Sequence, residues 1–82
     1  PLRERAGDVP ALVRHFLAEA PKHGLPSKRF TPAALARMGT HDWPGNVREL
    51  EHFVWRLSAL VPEAEIGLPE VEAELEILAA QM

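Results

Sequence analysis

The residue best placed to do chemistry is Arg48, in the run Trp43-Pro44-Gly45-Asn46-Val47-Arg48-Glu49-Leu50. Pro44 and Gly45 break whatever precedes them, one by fixing φ and the other by tolerating backbone conformations closed to other residues. Asn46 is then an N-cap candidate, and Glu49 three positions later completes a capping-box-like pair. Arg48 therefore falls in the first turn of a helix, beside backbone N–H groups that already favour an anion. The helix dipole would prefer an acid there, so a guanidinium at this position calls for something negative outside the helix. Spacing alone leaves two partners open. One is a surface carboxylate from Glu49, Glu51 or Glu4, and the other is an external anion.

The remaining candidates point away from catalysis. His15, His23, His41 and His52 share no ligand spacing such as His-x3-His, and the chain has no cysteine, so no metal site is expected. His41-Asp42 reads as a turn with a supporting pair, and no serine nucleophile sits in a recognisable motif. A phosphate-cradling G-x4-G-K-[ST] loop is missing from the sequence, as is an acidic pair for Mg²⁺. The chain is thus expected to be no enzyme on its own, with no catalytic residue. Trp43, immediately before a Pro-Gly turn, is expected to plug the core between helices. Trp55 lies off the main apolar stripe and should cover an edge or contact a neighbouring domain.

These residues need helices to position them. Asp8 is a natural N-cap, Pro10 suits a first turn, and Val9, Leu12, Val13, Phe16, Leu17 and Ala20 follow one helical face. Pro21 and Gly24 close that helix. Thr31-Pro32 opens a second, with Ala34, Leu35 and Met38 inward and Gly39 at its end. The third runs from Asn46, with Val47, Leu50, Val54, Leu57 and Val61 repeating at three- and four-residue steps until Pro62. Residues from Ile66 to Pro69 connect to a fourth helix striped by Val71, Leu75, Leu78 and Met82. No segment alternates with period two, so no strand is expected. The fold class is all-α, a small bundle of about four helices with short connections.

Composition narrows the function classes. Eighty-two residues make one small domain, and a chain opening on Pro1 is expected to be an excised piece of something longer. The apolar runs are too short for a membrane span, and lack of cysteine is compatible with the cytosol. Net charge is −3, and the acids gather late, from Glu63 to Glu76, which argues against a nucleic-acid-binding surface. That acidic segment reads as a solvated helix face. A helix-turn-helix or protein-interaction module, built on residues 31–39 and 46–61, is the alternative. Its recognition helix would have to offer Glu49, Glu51 and Phe53 to DNA, with only Arg48 and Arg56 cationic.

The octapeptide, with Pro1-Leu2-Arg3-Glu4-Arg5 and Asp8-Val9-Pro10 ahead of it, resembles the C-terminal lid of the AAA+ ATPase domain in bacterial sigma-54-dependent transcription activators. The likeness covers residues 1 to about 61. Gly24-Leu25-Pro26-Ser27-Lys28-Arg29-Phe30 and Arg56-Leu57-Ser58-Ala59-Leu60, ending in Val71-Glu72-Ala73-Glu74-Leu75, are most similar to the alphaproteobacterial nitrogen-assimilation regulators of that family. His52 and Trp55 depart from the asparagine and charged residue often found there. The resemblance implies that Arg48 is the sensor II arginine reaching a nucleotide phosphate from the lid, and that Arg3 lies near base and ribose. It implies ATP as cofactor, with Mg held by the parent ATPase and not by this piece. Residues 1–62 would be the lid, and 63–82 a linker and helix leading towards a DNA-binding domain. Implied partners are the ATPase core of the same chain, neighbouring subunits of a ring, and sigma factor, RNA polymerase and DNA through other parts. The setting would be cytoplasmic, in two-component control of nitrogen assimilation, with no membrane contact.

Overall fold

A computed structural model describes residues 8–43 and 46–80, with Asn46 described by its backbone alone. The first helix, α1, spans Val9–Glu19 and carries Pro10 in its opening turn. Asp8 does not cap it through its side chain. Its backbone is already helical, at φ −85° and ψ −16°, whereas a capping residue must be extended to swing its oxygen over the first amides. A 3-10 turn, Ala20–His23, follows and ends at Gly24, whose left-handed φ of 79° suits a residue without Cβ. Helix α2, Pro32–Gly39, starts as expected: Thr31 is extended and its Oγ1 accepts the Ala34 N–H at 3.1 Å. Helix α3 spans Asn46–Leu60 and α4 spans Leu68–Ala80.

Helix α3 lies against α1 and α4, while α2 lies against α4 and α1. The core draws Val13 and Phe16 from α1, Met38 from α2, Leu50 and Val54 from α3, and Val71 and Leu75 from α4. Each such side chain contributes roughly 1.5–3 kcal/mol by leaving water. Leu12, Leu17, Leu35 and Leu78 are partly buried around this centre. The periodicity of α3 overreaches at one point. Val47 is 43% exposed, because spacing identifies a face but not how far along the helix its neighbours extend, and cover begins at Leu50. Phe53, which lies off that stripe, is nonetheless buried at 4%.

The all-α class holds, with one local addition that periodicity could not reveal. Arg29–Phe30 (β1) and Glu65–Ile66 (β2) form a two-residue parallel pair in the register Arg29↔Glu65, Phe30↔Ile66. Two residues are too few to alternate detectably. The pairing buries Phe30 and Ile66, and Thr31 N–H to Ile66 O at 3.0 Å continues it.

The acidic segment is not simply a solvated face. Glu65 meets Arg29 at 3.3 Å, Glu72 meets Arg37 at 2.6 Å, and Glu74 meets Arg56 at 2.6 Å. Glu70 Oε1 accepts the Gly67 N–H at 2.8 Å at the start of α4. Glu65, Glu72 and Glu74 face cations on β1, α2 and α3 that lie far away in sequence, so no local pattern announces them.

Candidate functional site

Arg48 occupies the first turn of α3 and is exposed. Among the described residues it forms no ion pair, neither with Glu49 nor with Glu51. Glu4, Arg3 and Arg5 lie outside the described residues, as do Pro44, Gly45 and the side chain of Asn46, so the capping box cannot be followed from that side. From the other side, Glu49 Oε1 is buried and has no hydrogen-bond partner among the described residues. His52 and Arg56 follow Arg48 at four-residue steps, which places three basic side chains along one exposed edge of α3. Arg56 is neutralised by Glu74, whose side chain is only 9% exposed.

Trp43 holds the approach to this turn. It is fully buried, as its position before Pro-Gly suggests, and its Nε1–H donates to the Met38 carbonyl at 2.8 Å. Its ring meets Phe53 edge-on at 5.0 Å and His41 edge-on at 4.6 Å. Trp43 also has a φ of 49°, a left-handed conformation that costs a bulky residue about 1–3 kcal/mol. His41, read from sequence as half of a turn pair, instead leans on this ring, and its Nε2 is buried without a partner among the described residues. Trp55 covers an edge within the domain. Its Nε1–H donates to Phe16 O at 3.0 Å, and the His23 ring lies over it at 4.7 Å.

Two grooves flank α4. One, of about 350 Å³, is lined by Glu49, His52, Phe53, Arg56, Glu74 and Leu78. The other, of about 220 Å³, lies beside Arg37, His41, Glu72 and Glu76. Among the described residues no cluster of three His, Asp or Glu side chains is arranged to hold a metal ion. No described helix is long and apolar enough to cross a membrane. The helix-turn-helix alternative loses its structural basis. Helices α2 and α3 meet at most marginally, each lying chiefly on other helices, and Phe53 is turned into the core.

The four-helix bundle fits a small lid, and this chain belongs to the AAA+ ATPase lid domain family, whose model matches residues 3–81. It is 56% identical over 75 residues to the DNA-binding transcriptional regulator NtrC of Rhizobium meliloti (strain 1021), covering 92% of this chain and 16% of that protein. The NtrC of Azospirillum brasilense is also 56% identical over 75 residues, with the same coverage. The C4-dicarboxylate transport transcriptional regulatory protein DctD of Rhizobium meliloti (strain 1021) is 49% identical over 70 residues, 84% of this chain and 15% of its own length. The chain thus spans about a sixth of the length of the relatives it matches. No solved structure matches it.

Proposed function

We propose that this chain is the sensor II lid of an ATP-dependent bacterial transcription activator of the sigma-54 class, in a two-component regulator of nitrogen assimilation. The observation that carries the reading is Arg48: an exposed guanidinium in a first helical turn, where the dipole disfavours a cation and no described carboxylate meets it. A nucleotide phosphate is the anion that suits this position in an AAA+ protein, since a fixed cation beside it forms a charge-assisted contact. Bound ATP, with Mg²⁺ held by the catalytic core, supplies the phosphoryl chemistry. Arg48 supplies charge from the lid side, and Arg3 is assigned to the base and ribose. Residues 1–62 are read as the lid, and 63–82 as the linker and helix leading towards a DNA-binding domain.

The partners that follow are the ATPase core of the same polypeptide and neighbouring subunits of a ring. Sigma factor, RNA polymerase and DNA would be engaged through other parts, in the cytoplasm. The lid alone turns over no ATP. The test is nucleotide binding by the full regulator. Arg48→Ala should abolish most of the preference for ATP over ADP, measured by titration calorimetry. Unchanged affinities for both nucleotides would return Arg48 to the role of a solvated surface charge.

A further inference from the structure

Arg48 sits midway between two residues that touch. Trp43 lies five positions before it and Phe53 five positions after it, and their rings meet edge-on at 5.0 Å. The contact joins the residue at the end of the α2 side to the second turn of α3, the helix whose first turn carries Arg48. Both rings are buried, at 0% and 4% exposure, while Arg48 is exposed. The Trp43 ring is also held from the α2 side, by Nε1–H to Met38 O at 2.8 Å and by the edge of His41 at 4.6 Å. A buried indole N–H needs an acceptor, and taking it from the Met38 carbonyl fixes how the ring is turned as well as where it lies. The left-handed backbone at Trp43, φ 49°, is a further sign that its surroundings over-determine its position.

We infer that Trp43, acting with Phe53, is a positioning residue for Arg48. It ties the rotation and height of the α3 first turn to the end of α2, so that the guanidinium is presented at one fixed place. The inference rests on the nucleotide role proposed for Arg48 and assigns the residues that make that role geometrically selective. Displacement by about an ångström is enough to degrade a charge-assisted contact at a reacting centre. Removing the anchor should therefore act on nucleotide use through Arg48, and not only on stability.

The test is a double-mutant cycle on ATP turnover by the full regulator, with melting followed in parallel. Trp43→Phe keeps an aromatic ring but loses the N–H donor; Phe53→Leu keeps an apolar side chain but loses the edge-on contact. Each should raise the KM for ATP or lower turnover by about fivefold in the parent. In an Arg48→Ala background each should have no further effect on turnover while still lowering the melting temperature. An equal loss in both backgrounds, or normal turnover in the parent background, would overturn the positioning role. Should Trp43→Phe fail to fold, the Phe53→Leu arm decides alone. Arg48→Ala with normal turnover would overturn the nucleotide reading itself, and with it this inference, and is read from the single variant.

Discussion

The two ends of α3 treat their arginines differently. Arg56 closes a 2.6 Å contact on Glu74 of α4, and Arg37 at the end of α2 does the same with Glu72. Arg48, eight residues before Arg56 and so about 12 Å along the same helix, meets no carboxylate among the described residues. Arg14, exposed on α1, also has no ion pair among the described residues, but it lies in mid-helix, where a solvated charge costs little. Arg48 is distinguished by the pairing of exposure with the one helical position that electrostatics disfavours. The lesson is that Glu72 and Glu74 of α4 tie helices together, while Arg48 at the start of α3 meets no such partner among the described residues.

The largest expected effect falls on the plug between these regions. Trp43→Ala should cost roughly 3–5 kcal/mol, against a total stability on the order of 4–12 kcal/mol for a chain of this size. The melting midpoint should fall by roughly 12–40 °C. A mutant melting within a couple of degrees of the parent would show that the start of α3 is not anchored there.

A smaller effect is expected where α3 meets α4. Glu74→Ala removes a buried acid but leaves Arg56 free to find water, since that side chain is 54% exposed. The loss should be about 1 kcal/mol in denaturant unfolding. A loss of about 3 kcal/mol or more would mean that Arg56 is stranded without solvent, and that the two ends of α3 differ less than their exposures indicate.

The smallest effect belongs to a pair that does not include either arginine of α3. Lys22 Nζ lies 2.8 Å from Glu19 Oε2, with Lys22 exposed and Glu19 half-buried. The Lys22 hydrogen bond, and then its charge, hold the Glu19 carboxyl below its usual range, and Glu19 raises Lys22 in the same way. Any stability from Glu19 is therefore present above its unfolded pKa and lost as pH falls through the lowered folded value. That from Lys22 is present below its unfolded pKa and lost as pH rises through the raised folded value. Solvent screening leaves little of either, so Lys22→Ala should melt like the parent at neutral pH. A clear drop would mark this surface as more than solvated charge.

What was legible in the sequence followed periodicity and local caps. The four helices, the Thr31 cap and the burial of Trp43 could be read because each is written within a few residues. Val47 was misplaced because a stripe shows direction and not depth. The β1–β2 pair, the Arg37–Glu72 and Arg56–Glu74 contacts and the Trp43–Phe53 closure were not readable, since they join segments that only folding brings together. Arg48 stood out because a cation in a first helical turn contradicts its own surroundings. The link from that oddity to nucleotide came from family resemblance, and no spacing within 82 residues supplies it.

The central claim is that Arg48 and Arg56, on one helix, divide between nucleotide and fold. It is tested most directly by ATP turnover of the full regulator carrying Arg48→Ala or Arg56→Ala, with circular dichroism confirming that both remain helical. Alanine is a good helix former, so neither change should unwind α3. Arg48→Ala should lower turnover at least about tenfold, the loss of about 1.4 kcal/mol of stabilisation, while Arg56→Ala stays near the parent. Equal turnover in the two variants, whether both normal or both impaired, would contradict the account.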